Sequence, residues 1–169
     1  VRPFYNPLVK EKKRLFFICP DCGIEIILRN EFGDDIIFLT ALGSVFDFEG
    51  NNYSQELDYF INQEDIGEIV VVNDSDCTFI INTINNYKKK HTIAEKELER
   101  LKTNHAEQFE PLEATQQQKL LASLNIYRQA YEITDIPSLS EKFADGKIDV
   151  KGLLYDRANH KFEQLKMKL

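Results

Sequence analysis

The sequence predicts an α/β fold, with a central, mainly parallel sheet flanked by helices. Three observations lead there. The short runs "LFFIC" (15–19), "DIIFLTAL" (35–42) and "EIVVV" (68–72) are almost wholly apolar, as expected of strands covered on both faces. Amphipathic stretches of helical length stand between and after them. Polar, turn-forming residues follow the strands, in "CPDCG" and "NDSDC".

In chain order, 15–19 is the first strand. "CGIEIILRNEF" (22–32) follows as a helix, although its β-branched residues have modest helix propensity. Gly33 and Asp34 turn the chain into the second strand, which ends at Gly43. The loop "GSVFDFEGNN" (43–52) leads to Ser54, an N-cap candidate for a helix over 55–65, with Asp58 one position late for a capping box. Gly67 is expected to end that helix before the third strand. Residues 77–111 start as a helix beneath the third strand and continue as a charged, protruding helix over 85–110. Residues 114–133 form a long amphipathic helix. A short helix follows, with Pro137 in its first turn and Gly146 past its end. "IDVKGLLYD" (148–156) is a terminal strand, and "KFEQLKMKL" (161–169) a strand or a helix. No repeat or low-complexity segment interrupts the chain, so one domain over 1–169 is expected.

Hydrophobic residues make up 43% and charged residues 29% of the 169, an ordinary globular balance. No apolar run is long enough to span a bilayer, and the start lacks a signal-peptide pattern. The expectation is no membrane partner. The net charge of −7 argues against nucleic acid, which needs a basic surface to displace phosphate counterions. The basic knot Lys88–Lys90 reads as a solvated helix face. His91, His105 and His160 read as surface residues, and Phe46, Phe48, Tyr53 and Tyr59 as core or interface.

The three cysteines are more informative. An odd count without secretory context points away from a disulfide framework and toward a reducing, cytoplasmic compartment. All three lie at strand carboxyl ends: Cys19 and Cys22 in "FFICPDCG", Cys77 in "VVVNDSDC". In open parallel sheets that edge is where ligands bind. A strand followed by Cys-Pro-x-Cys and a helix also suits thiol–disulfide chemistry, with Cys19 as nucleophile and Cys22 as resolving thiol. The later proline-opened strand of thioredoxin-like proteins is not evident.

"NIYRQAYEITDIPSLSEKFADGKIDVKGLLYDRANHKFEQL" (125–165) resembles the end of β-class carbonic anhydrases. Asn125, Gln129, Pro137, Gly146, Val150, Gly152, Tyr155 and Asp156 stand in the family's order. Upstream, "CPDCG" is similar to the family's Cys-Ser-Asp-Ser-Arg, "NDSDCT" to Gly-His-Ser-Asp-Cys-Gly, and "GDDIIFLTALGS" to the strand leading into Arg-Asn-x-Gly-Asn. The resemblance covers most of 14–165 and implies a β-carbonic anhydrase-like fold, a zinc ion, reversible CO2/bicarbonate chemistry and a homodimer. It implies Cys19, Asp74 and Cys77 as zinc ligands and Asp21 as the proton-handling carboxylate.

The departures fall on the chemistry. Asp74 stands at the family's zinc histidine, Gly23 at the arginine that pairs with the catalytic aspartate, and Pro20 and Cys22 at its serines. Thr40 and Ala41 replace the Arg-Asn pair, and the N-terminal helical arm is shortened. Carbonic anhydrase activity needs three ligands and a metal-bound water whose pKa falls from ~16 to ~7. Two thiolates and a carboxylate leave the site at net −1, which makes that water less acidic. Without the arginine, Asp21 is free to turn onto the metal and close it. Cys22 offers another closure: Cys19, Cys22 and Cys77 with Asp74. The expectation is a divergent, non-catalytic member with a zinc site between two strand ends; the alternatives are an active CO2 hydratase and a CPDC redox protein.

Overall fold

A computed structural model describes residues 12–49, 53–87 and 92–167. The N-terminal segment to which the shortened-arm expectation refers, the Lys88–Lys90 knot and His91 lie outside the described residues. Five strands form one sheet in the order β2-β1-β3-β4-β5. β1 (Lys13–Ile18), β2 (Ile36–Thr40), β3 (Ile66–Asp74) and β4 (Asp149–Asp156) run parallel. β5 (Lys161–Leu165) returns antiparallel along β4, which settles the last segment as a strand. β1 and β3 are central, and Leu15 to Ile18 and Ile69 to Val72 are buried, as the apolar runs require.

The two faces are covered unequally. α1 (Glu25–Phe32) lies on one face, with Ile24 and Leu28 against Phe16, Ile18, Val70 and Val72. The larger core on the other face packs Leu15, Phe17, Ile69 and Val71 under the remaining helices. These are α2 (Tyr53–Glu64), α3 (Thr78–Ile84), α4 (Ile93–Asn104), the single turn α5 (Ala106–Phe109), α6 (Ala114–Thr134) and α7 (Pro137–Ala144). The chain leaving β1 therefore turns to one face, and the chain leaving the adjacent β3 to the other. That divergence brings the two strand ends side by side at the carboxyl edge, the usual ligand position of an open parallel sheet.

Several boundaries differ from the sequence expectation. α2 begins at Tyr53, so Ser54 sits in its first turn rather than at its cap. Gly67 lies inside β3, not at the end of α2; Asp65, at φ 55°, makes the turn instead. A Cβ at Gly67 would lie 2.0 Å from Lys12 Cδ, so a close approach is what requires glycine there. Residues 77–111 are not one helix. Asn86 adopts φ 56° after α3 ends, and Lys102 Nζ donates to the Thr83 carbonyl and the Asn86 side chain. Thr92 and Glu95 then form a capping box that starts α4. α4 does not protrude: it buries Ala94, Leu98 and Leu101. Phe46 and Phe48 join the core, Tyr53 packs on Phe48, and Tyr59 is exposed.

Candidate metal centre

The cysteine cluster is built from three loops. The first follows β1. Cys19 is buried, and Pro20–Cys22 make one 3-10 turn closed by the Cys22 N–H donating to the Cys19 carbonyl at 3.2 Å. Gly23 follows at φ 60°, a left-handed conformation that glycine adopts without strain, and turns the chain into α1. The second follows β3, where Ser75 and Asp76 lead to the buried Cys77, the residue before α3. The third follows β2. Gly43, at φ 65°, donates its N–H to Cys19 Sγ at 3.1 Å. A Cβ at Gly43 would stand 3.3 Å from the Cβ atoms of Ala94 and Phe79, so conformation and space both favour glycine.

The sulfurs of Cys19, Cys22 and Cys77 lie within 4.8 Å of one another, and all three cysteines are free of disulfides. Cys22 is half-buried, the other two fully. Zinc–thiolate bonds of about 2.3 Å put two sulfurs of a tetrahedral site about 3.8 Å apart, within reach of small side-chain rotations here. Hydrogen bonds from the Cys22 and Cys77 thiols, and from the Asp21 and Gly43 N–H groups, hold the Cys19 thiol well below its usual range. The same thiol hydrogen bonds, with burial, push Cys22 and Cys77 upward, the latter to about 12.

The structure brings Cys19, Cys22 and Cys77 together and turns Asp74 elsewhere. The Asp74 side chain is wholly buried. Its Oδ2 accepts from Arg157 Nε at 2.8 Å and also from Arg157 Nη2. Its Oδ1 accepts from the Asp76 N–H at 2.8 Å. Arg157 Nη2 further donates to the Cys22 carbonyl at 2.7 Å, which ties the first loop to the β4–β5 turn. Asp21 is exposed, and its backbone N–H rather than its carboxylate faces Cys19. His105 and His160 lie elsewhere: His105 with Gln108, and an exposed His160 near the Tyr155 hydroxyl.

Arg157 escaped sequence reasoning. Its signal was its position just beyond a strand that also ends at this edge, since Asp74 pairs in register with Tyr155 on β4. The matched residues of α6 brace the site from behind. Asn125 Nδ2 donates to the Gly43 and Ser44 carbonyls at 3.1 and 3.3 Å, and Gln129 Oε1 accepts from the Phe46 N–H at 2.8 Å.

The sequence model of the carbonic anhydrase family matches residues 15–162. The chain belongs to the β-class carbonic anhydrase family. Solved structures agree at the level of fold. The wild-type β-carbonic anhydrase CafD of Aspergillus fumigatus superposes with a TM-score of 0.79 at 20% identity, over 94% of this chain and 92% of that one. A tetrameric β-carbonic anhydrase of Sordaria macrospora gives 0.78 at 16% identity, over 93% and 82%. The Coccomyxa β-carbonic anhydrase, solved with acetazolamide, gives 0.74 at 16%, over 94% and 74%. No curated protein sequence matches. Within this β-carbonic anhydrase frame, the three-cysteine cluster is an altered, non-canonical candidate metal site.

Proposed function

We propose that this β-carbonic anhydrase family member holds zinc through Cys19, Cys22 and Cys77 as a structural ion and does not hydrate CO2. The observation that carries the reading is the pairing of a three-sulfur cluster with an Asp74 already committed to Arg157. The donor set suits zinc, since thiolates are its usual structural ligands; three of the four tetrahedral positions are supplied by these cysteines and the fourth is left to water. Zinc so held supplies a cross-link between the ends of β1 and β3, and three thiolates leave it a weak Lewis acid. Asp21 supports the non-catalytic side: it is exposed, and Gly23 supplies no guanidinium to orient it. Three free cysteines fit a reducing compartment such as the cytoplasm. Among the described residues no helix is long and apolar enough to cross a membrane.

The test is metal analysis combined with stopped-flow CO2 hydration on the purified chain. One zinc per chain without hydration above the buffer rate is the expected result. Hydration that disappears on chelation would make the protein an active anhydrase instead. A metal-free chain that forms a reversible Cys19–Cys22 disulfide would favour the thiol–disulfide reading.

A further inference from the structure

Asp74 is a wholly buried carboxylate three residues from a cluster cysteine, so it needs a cationic partner. Two could serve it: an ion at the sulfur cluster or the guanidinium of Arg157. In the structure Arg157 takes Oδ2 with two of its nitrogens, while the Asp76 N–H takes Oδ1. The same guanidinium holds the carbonyl of Cys22, the residue that completes the sulfur trio. One side chain thus holds both the Asp74 carboxylate and the backbone of the residue that carries a sulfur donor. The Arg157 side chain is 37% exposed and Asp74 fully buried, so the clamp reaches in from the surface over the Tyr155 ring, 5.7 Å from its centroid.

We propose that Arg157 is a positioning residue that sets the metal preference of the site, keeping Asp74 out of the donor set so that a purely thiolate set of protein donors selects thiophilic cations of the cadmium class. The inference rests on the reading of Cys19, Cys22 and Cys77 as ligands. Soft thiolates favour soft ions, whereas an added carboxylate favours harder ones. An arginine fork does this better than a lysine, because its planar donors engage the carboxylate and the Cys22 carbonyl together.

The test compares the cadmium-to-zinc affinity ratio of the full chain, stripped of metal under reducing conditions and titrated against a chromophoric chelator. The wild type is expected to prefer cadmium strongly, with an ultraviolet thiolate-to-cadmium band that saturates at one ion per chain. Arg157→Gln should narrow the ratio by roughly 10–100-fold, the usual effect of losing an outer-shell partner. The double variant Arg157→Gln/Asp74→Asn should restore the ratio, because the freed oxygen donor is gone. Asp74→Asn alone keeps an oxygen for Arg157 and turns its NH2 toward the Asp76 N–H; it adds no donor to the ion, so the ratio should stay unchanged even where both affinities fall. A general loss of structure would weaken both ions together and leave the ratio where it was. Tight binding of both ions with a ratio insensitive to Arg157→Gln would overturn the role of Arg157 and leave the three ligands standing. A double variant that behaves like Arg157→Gln would overturn it too. Failure of either ion to bind the wild type would remove the three-thiolate site as well.

Discussion

At the residue scale the decisive exchange is between Cys22 and Asp74. On the family resemblance, a carboxylate stands where a histidine is expected and a thiol where a serine is expected. The carboxylate is satisfied by Arg157 and the thiol joins Cys19 and Cys77. Cys22→Ser is therefore expected to lower zinc affinity by more than the roughly 10–100-fold typical of an outer-shell loss, as measured by chelator competition. Asp21→Asn should leave zinc stoichiometry unchanged, because that side chain is exposed. A separate prediction concerns Asp156, at the end of β4. Lys119 Nζ, 2.5 Å away, and the Asn159 amide hold its carboxyl down to about 2. A depressed carboxylate stabilises the fold above its unfolded pKa, and that contribution is lost as pH falls through the folded value. Denaturation curves from pH 5 to 2 should show an acid-limb slope that is reduced in Lys119→Met. An identical slope in that variant would remove Lys119 as its cause.

At the scale of elements, α6 links packing to the site. Gln129→Ala would leave the buried Phe46 N–H without its acceptor, at a cost of about 1–3 kcal/mol readable in urea unfolding. β4 meets α6 so closely that a Cβ at Gly152 would lie 2.4 Å from Ile126 Cγ2. Gly152→Val is expected to cost about 1–3 kcal/mol or more as overpacking. A wild-type unfolding midpoint for either variant would contradict the account. These contacts also explain what the sequence made legible. Apolar runs at 15–19 and 68–72 announced central strands because burial on both faces leaves no room for polar alternation. Asn125, Gln129 and Gly152 were legible as an ordered pattern through the family resemblance, and each has a close partner in the structure. The break at Asn86 was hidden, since asparagine enters the left-handed region without a glycine or proline to mark it. The cap at Thr92 went unread because the charged run around it looked like one continuous helix. Cys19, Cys22 and Cys77 were legible as a group through their strand-end positions, whereas Asp74's partner was not. Arg157 comes from 83 residues away, and only strand register brings it near.

At the scale of the whole molecule, the ion is expected to tie together the ends of the two central strands, where the chain diverges to opposite faces of the sheet. Binding to the native state alone stabilises it by about 2.7 kcal/mol when free zinc is 100 times the dissociation constant. Chelation should therefore lower the melting temperature measurably, and zinc should restore it. Such stabilisation is what the proposed structural zinc would add to the family's sheet. The most direct test is zinc X-ray absorption on protein purified without chelator. The account predicts a first shell of three sulfurs at about 2.3 Å and no imidazole signature. A shell of two sulfurs completed by oxygen or nitrogen from the protein would contradict it.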